Sequence, residues 1–344
     1  GGLAQHSMLS LSSLVVAAAA TAAPPLPSTM FAVRVANFTP CVRPAFEQCL
    51  ETVTVKVPKP LPFEALVHVN VSSVNPSDVD IAEGKIVGKL FGTLGVDFGG
   101  VVVAKGPLCS SLEVGDAVWG MTVGAYAEYA IAICAVTGKL GAVSPRAVGT
   151  LPEVATTSAE ALQQAGAPWD ASKNVTVVVT SGSGGTGFAA IQLAKSYGAR
   201  TVVTATSGAA NTAFVKSLGA DVVVDYHVAE IFSTLANESV DVVYDNYGSA
   251  GTADRAMPKL KPGGTFIYLP GKGGALSKHP KPGVRQMSFG LTRPSAKVLD
   301  ELRELYLGGA LRPHVEATYP LNNVSGAFAQ SAAGHVVGKL AIAM

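Results

Sequence analysis

Residues 175–187 read Val-Thr-Val-Val-Val-Thr-Ser-Gly-Ser-Gly-Gly-Thr-Gly, an apolar, β-branched run that opens into closely spaced glycines. The run predicts a buried parallel strand over 175–180, and residues 187–197 continue as a helix. Between them Gly182, Gly184 and Gly187 fall at the spacing G-x-G-x-x-G, the pattern of a dinucleotide-binding turn. Gly182 permits the tight bend, the missing side chain at Gly184 lets a pyrophosphate approach the backbone, and Gly187 lets helix and strand pack closely. Ser181, Ser183, Gly185 and Thr186 complete the loop, and the unpaired N–H groups and positive dipole of the helix N-terminus face the phosphates.

The next strand selects between the two nicotinamide dinucleotides. A carboxylate about 20 positions beyond the glycine turn would hold the adenosine ribose hydroxyls and favour NAD. Residues 204–211 instead read Thr-Ala-Thr-Ser-Gly-Ala-Ala-Asn, with no acid until Asp221. An uncharged, hydroxyl-rich pocket tolerates the extra phosphate of NADP, to which Ser207 and Asn211 can donate hydrogen bonds, so NADPH is the cofactor expected. The same residues would also serve simply to finish a strand.

These residues need a scaffold. A chain of 344 residues suggests about two domains, and a formal net charge of +1 gives no field that would draw nucleic acid or an anionic membrane. Residues 30–150 show short β-rich runs near 31–36, 52–57, 65–74 and 99–104, punctuated by Gly and Pro: a strand-rich domain, expected as a distorted barrel. From about 151 the texture alternates, with strands near 175–180, 201–206, 221–225, 240–245 and 264–269 and helices near 187–197, 209–218, 228–236 and 250–258. Right-handed crossovers make this a doubly wound parallel sheet. A helix over 295–307, a strand over 315–320, a helix near 322–333 and a strand over 340–343 are expected to return to the first domain. The fold class is therefore α/β, with residues 152–289 forming the dinucleotide-binding domain and 30–151 plus 290–344 the strand-rich one. Four cysteines, at 41, 49, 109 and 134, are irregularly spaced and read as reduced thiols rather than a disulfide framework or a zinc cluster.

Residues 1–7 precede the first methionine and read as an expression scar. Residues 8–23 are a candidate targeting segment: Ala20-Thr21-Ala22 resembles a signal-peptidase site, but a basic n-region is missing and the apolar core is too short to span a bilayer. A cleaved signal, part of a plastid presequence and a disordered tail all fit residues 8–23, which with the scar and a Pro-rich linker at 24–27 make up residues 1–29, leaving a cytoplasmic or plastid location and no transmembrane span.

A β-rich N-terminal domain, a nucleotide-binding domain and a C-terminal return resemble the medium-chain dehydrogenase/reductase superfamily, whose fold is a Rossmann sheet joined to a GroES-like domain. The resemblance covers residues 30–344. It is carried by Asn75-Pro76-Ser77-Asp78, Gly95-Val96-Asp97-Phe98-Gly99-Gly100, Val114-Gly115-Asp116-Ala117-Val118, Gly124-Ala125-Tyr126-Ala127-Glu128-Tyr129, the glycine turn and Lys216-Ser217-Leu218-Gly219-Ala220-Asp221, in that order. Zinc-containing members carry Cys at the position of Asn75 and Gly-His-Glu at Gly95-Val96-Asp97. Val96 cannot ligate a metal and Asn is a poor zinc ligand, so no metal is expected and alcohol oxidation loses its Lewis acid. The chain thus resembles the zinc-free quinone and enone reductase branch. Its glycine turn and its Gly334-His335-Val336-Val337-Gly338-Lys339 tail are especially similar to chloroplast-envelope quinone oxidoreductase homologues and fruit enone oxidoreductases.

The resemblance implies that Asn75 and Thr157 line the nicotinamide end of the cleft and that Tyr226 lies near the adenosine phosphate. It implies too that Asn246 and the Leu269-Pro270-Gly271 turn, ending the fourth and fifth strands, stand beside the nicotinamide ribose and ring. Relatives place Lys or Arg near the adenine 2′-phosphate where this chain has Ala210. The reaction implied is hydride transfer from NADPH to a quinone or to the β-carbon of an α,β-unsaturated carbonyl, with negative charge growing on the carbonyl oxygen. Asn75 or Ser77 could support that oxyanion, although Asn-Pro-Ser-Asp is also good turn chemistry. Tyr126 is a candidate proton donor or a core aromatic. Residues 255–299 contain no Asp or Glu and hold nine Lys or Arg; the part 271–283 reads as a solvated basic face or as a mobile lid attracting anions. A homodimer is expected by the same resemblance. Competing readings are a 2-enoyl thioester reductase and a non-catalytic NADPH-binding structural or regulatory protein.

Overall fold

The computed structural model describes residues 25–36, 39–86, 92–290 and 292–344. The scar and the candidate targeting segment lie outside the described residues. Among those described, no helix is long and apolar enough to cross a membrane.

In chain order, β1 (Thr29–Val35) and β2 (Leu50–Lys56) form a two-stranded antiparallel pair. Then come β3 (Glu64–Val74), α1 (Pro76–Ala82), β4 (Asp97–Lys105), β5 (Ala117–Met121), β6 (Tyr129–Ile133), β7 (Gly138–Lys139), α2 (Pro145–Val148) and α3 (Pro152–Gln164). The alternating half follows: β8 (Thr176–Val179), α4 (Gly185–Ser196), β9 (Thr201–Thr206), α5 (Gly208–Ser217), β10 (Val222–Asp225), β11 (Val240–Asp245), α6 (Thr252–Ala256), β12 (Leu260–Tyr268) and β13 (Arg285–Ser288). The chain closes with α7 (Ala296–Leu307), β14 (Val315–Pro320), α8 (Val324–Ala333) and β15 (Lys339–Ala343).

Two larger sheets result. One runs β10-β9-β8-β11-β12-β13, every neighbouring pair parallel. Its order reverses at β8, so the glycine turn leaves that strand at the topological switch point, where ligands of such sheets bind. Val177, Val178 and Val179 are fully buried between helical layers, which is why the strand reads as a continuous apolar run. The other sheet runs β14-β15-β3-β4-β5-β7 with β6 also on β3, the GroES-like body foreseen. β15 pairs antiparallel with the end of β3, Leu340 opposite Val74 and Ala343 opposite Val71, so Lys339 at the start of β15 lies beside Asn75.

Several expectations need correction. The cysteines are not free thiols: Cys41 pairs with Cys49 and Cys109 with Cys134, at Cα separations of 5.4 and 5.7 Å. Strand pairing brings these partners together from irregular sequence positions, which spacing could not reveal. The helix expected over 228–236 is only a 3₁₀ turn, Ile231–Thr234, capped by Glu230, whose carboxylate accepts from Ser233 N at 3.0 Å. A sixth strand, β13, was missed because its Arg-Gln-Met-Ser sequence lies partly exposed at the sheet edge without an apolar run. The basic segment spans the length of the sheet rather than lying over one end: Lys272 stands over the Tyr247 ring, 5.6 Å from its centroid, just past the end of β11. Lys281 Nζ donates to Glu238 Oε1 (2.7 Å) and to the Leu260 carbonyl (2.6 Å), where β12 begins, at the end of the sheet opposite the glycine turn.

Candidate functional site

The glycine turn is held by contacts that leave one face open. A Cβ at Gly182 would overlap the Thr204 hydroxyl on β9, and one at Gly187 would overlap the Ser181 carbonyl oxygen. At Gly184 the nearest atom to such a Cβ is Ser181 Oγ at 3.5 Å, so this residue faces open space. Gly182 is therefore required by close strand approach, since its φ is not in the left-handed region, while Gly184 has the cradle that a diphosphate would fill. Asn246 braces the loop from below: its Oδ1 accepts Ser181 N at 2.9 Å, and its Nδ2 donates to Ser181 O (2.9 Å) and Thr186 Oγ1 (3.2 Å). Thr206 Oγ1 donates to Ser183 Oγ (2.8 Å), Ser158 Oγ to Thr186 O (2.9 Å), and Gly338 N to Ser183 O (2.8 Å). The first-turn N–H groups of α4 have no intrahelical acceptors and remain for a ligand.

At the end expected to take the adenosine, Ser207 is the N-cap residue of α5 and accepts a hydrogen bond from Tyr226 OH at 3.0 Å, and Asn211 sits half-buried in the first turn of that helix. The structure adds a carboxylate that the 20-residue spacing missed. Asp225, ending β10, accepts from Gly208 N (3.0 Å) and His227 N (2.9 Å), and those backbone bonds hold its carboxyl below the usual range. At the far end Leu269 N donates to Asp245 O at 3.0 Å. A Cβ on Gly271 would stand 2.6 Å from Tyr247 O, so the ends of β11 and β12 run back to back.

The end of the site expected to take the nicotinamide holds an arrangement that the sequence did not announce. Asn75, wholly buried, caps α1; its Nδ2 donates to Asp97 Oδ2 at 2.8 Å, and its Oδ1 accepts from the ammonium of Lys339. Lys339, 2% exposed, also donates to the Val74 carbonyl at 3.0 Å and stands 3.8 Å from Asp97 Oδ2. Asp97 further accepts from Ser73 Oγ (2.6 Å) and Glu153 N (2.7 Å). Asp78 completes the group, accepting Asn75 N at 2.8 Å, and Ser77 Oγ donates to Glu153 Oε1 at 2.7 Å. One ammonium thus faces three carboxyls. Burial pushes all three up, Asp78 to about 7 and Glu153 to about 8, and it pushes Lys339 down against the pull of Asp97. Asp97, with three hydrogen bonds and the ammonium beside it, is the carboxyl best able to keep its charge.

This geometry sorts the candidates. Thr157 is buried one helical turn beyond Glu153 on the same face of α3, and Ser77 is half-buried. Tyr126 is corrected to a core aromatic: it is fully buried and gives its hydroxyl to the Ser73 carbonyl at 3.1 Å, one layer behind the cleft. Asn75 is committed at both ends of its amide to Asp97 and Lys339. Lys339 and Glu153 are the residues that sequence reasoning missed. A lysine heading the apolar strand Leu-Ala-Ile-Ala was the available signal for the first. The second was masked, because an acid in a helix's first turn is ordinary. Among the described residues no group of three or more His, Cys, Asp or Glu side chains is placed to hold a metal ion.

Residues 62–165 match the alcohol dehydrogenase GroES-like domain and residues 218–342 the zinc-binding dehydrogenase domain. The spinach chloroplastic quinone-oxidoreductase homolog is 32% identical over 309 residues, covering 85% of this chain and 93% of the relative. Tomato 2-methylene-furan-3-one reductase is 31% identical over 308 residues, covering 84% and 74%. A mycobacterial protein solved in complex with NADPH superposes with a TM-score of 0.77 at 25% identity, covering 92% of this chain and all of that one. With its switch-point glycine turn and GroES-like sheet, the chain belongs to the quinone oxidoreductase branch of the medium-chain dehydrogenase/reductases, NAD(P)H-dependent oxidoreductases.

Proposed function

We propose that the protein reduces quinones or the C=C bond of α,β-unsaturated carbonyls with NADPH, without zinc. The observation that carries this reading is Lys339. Its ammonium bonds the Asn75 oxygen at the position where zinc-containing members present a metal-binding cysteine, and an ammonium there repels a divalent cation while the amide offers it a poor ligand. The cofactor, when bound, supplies the hydride. The chain's own residues bind and orient it: the α4 N-terminus and the open face of Gly184 receive the diphosphate, and Ser207, Asn211 and Tyr226 reach the adenosine phosphate. Asp225 spends its oxygens on two backbone N–H groups, which weakens its claim on ribose hydroxyls and favours NADPH over NADH. A 2-enoyl thioester stays the alternative acceptor: Lys281 is held at the opposite end of the sheet, but Lys272 of the same basic segment lies over Tyr247 just past the end of β11. The exposed edge of β13 is the surface proposed for a homodimer.

The test is consumption of NADPH and NADH against a panel of quinones, enones and enals, with metal content measured on the same sample. Turnover with NADPH at less than one equivalent of zinc supports the reading. Tight NADPH binding without turnover of any acceptor favours the non-catalytic alternative, and activity that tracks added zinc refutes the proposal.

A further inference from the structure

We propose that Glu153 is the proton reservoir of the reduction and passes its proton through the Ser77 hydroxyl to the α-carbon of the substrate. This rests on the alkene-reductase reading and deepens it. Ser77 lies in the first turn of α1 and Glu153 in the first turn of α3, 76 residues apart, yet their side chains meet at 2.7 Å. Glu153 Oε2 is out of solvent and has no hydrogen-bond partner. An ionised carboxylate with a buried, unsatisfied oxygen is costly, whereas the neutral acid leaves a far smaller debt.

The groups around it act in the same sense. From β4 and α1, Asp97 and Asp78 repel a charge on Glu153; from β15, Lys339 attracts one but is already engaged by Asn75 and Asp97; Tyr126 stands behind as a neutral phenol. Burial and the two acids together push Glu153 up to about 8, so it carries its proton at neutral pH. Ser77 and Glu153 are both half-buried, with Glu153 Oε2 itself out of solvent, and Thr157, expected at the nicotinamide end, shares the helix face of Glu153. A serine alone is too weak an acid to be a source; it relays only when something behind it restores its proton.

The balance is as follows. A hydride adds to the β-carbon, the C=C π pair moves onto the α-carbon and carbonyl oxygen, and a C–H bond forms at the α-carbon as the Ser77 O–H bond breaks. Ser77, which donates to Glu153 Oε1 in the resting structure, must first turn its hydroxyl to the substrate and accept from the protonated Oε1; the Glu153 O–H bond then breaks in turn and re-forms the Ser77 hydroxyl. Glu153, left as a carboxylate, takes one proton from water before the next turnover, so each cycle consumes one NADPH and one proton.

Glu153→Gln keeps the shape but cannot release a proton. In the cofactor-free protein, infrared titration should show a carboxylic-acid band that bleaches near pH 8 in the wild type, beside that of Asp78 near pH 7, and E153Q should lose the pH 8 band alone. In turnover with an enone, kcat of E153Q should fall about 10²-fold at neutral pH with KM little changed, the size of effect general-acid catalysis supplies. The wild-type fall in kcat above about pH 8 should disappear. Ser77→Ala should reproduce the loss, and the double variant should be no worse than either single one. Equal kcat and pH profiles in wild type and E153Q would overturn the inference while leaving the alkene-reductase reading intact, as would persistence of the pH 8 infrared band in E153Q. No turnover of any acceptor by the wild type would remove both.

Discussion

Replacing Lys339 with Met removes the ammonium but keeps most of the stem, which isolates the charge. Asp97 would then be buried without its cation, and Asn75 Oδ1 and the Val74 carbonyl would lose their donor. Stripping one partner from a buried ion pair costs about 3–5 kcal/mol. The electrostatic part has a ceiling, because Asp97 can escape by taking a proton. Holding a carboxyl of ordinary pKa 3.8 protonated at pH 7 costs about 1.36 kcal/mol for each of 3.2 pH units, or about 4.4 kcal/mol, falling to about 1.6 kcal/mol at pH 5. The folded variant would hold a proton that the unfolded chain releases above 3.8, so its stability must fall as pH rises. The two orphaned oxygens add about 1–3 kcal/mol that does not depend on pH. Urea denaturation of K339M and wild type at pH 5 and pH 7 should therefore show a deficit that grows by about 2–3 kcal/mol between the two conditions. A deficit equal at both pH values would mean that Lys339 contributes by packing its stem, and the charge-pair account would be wrong.

Other outcomes follow from the same contacts. Gly184→Ala should leave stability, read from urea denaturation, within about 0.5 kcal/mol of wild type yet weaken NADPH binding at least about tenfold by calorimetry, because the added methyl makes only ordinary contact with Ser181 and fills the open cradle. Gly187→Ala should do the reverse in order of severity, losing about 2–4 kcal/mol of stability, since its Cβ would overlap backbone. Thiol titration of the unreduced, denatured protein should find no free cysteine. Reduction should lower the melting temperature, the loops of 8 and 25 residues being worth up to about 2.5 and 3.5 kcal/mol of chain entropy. Tyr226→Phe, which frees Ser207 of its hydrogen bond, should weaken NADPH binding about three- to tenfold and leave NADH unchanged; an equal effect on both would separate this pair from the 2′-phosphate.

What could be read from the sequence was whatever a few consecutive residues decide. The switch-point turn was legible because strand, glycines and helix N-terminus are contiguous, and each glycine is demanded by a neighbour within or beside that stretch. Even there the reason was partly hidden: Gly182 is small to admit Thr204 from the adjacent strand, a contact across 22 residues. Lys339 and Asn75 are separated by 264 positions, and only the antiparallel zipping of β15 onto β3 brings them together. Glu153 looked like ordinary first-turn acid. The basic run in 255–299 was legible as composition but not as placement: Lys272 lies over Tyr247 past the end of β11, whereas Lys281 is held by the Leu260 carbonyl at the other end of the sheet. Asp225 was invisible to the spacing rule because it comes from β10, the neighbour of the strand where that rule looks for an acid.

The two ends of the cleft are joined by two consecutive residues. Gly338, with φ at +71°, gives its N–H to the Ser183 carbonyl in the glycine turn, and Lys339 sends its ammonium to Val74 and Asn75 at the nicotinamide end. A side chain at 338 would be strained by that φ and would also crowd the His314 carbonyl, to which Lys339 N is bonded at 3.0 Å. The last strand therefore closes the GroES-like sheet, steadies the diphosphate turn and delivers the cation in one stroke. Without that strand the carboxyls at 78, 97 and 153 would share no counter-charge, and the glycine turn would lose its only bond to the other sheet among the backbone contacts described. Cofactor cradle and proton-bearing cluster are thus one folding unit, even though the residues that make them come from opposite ends of the chain.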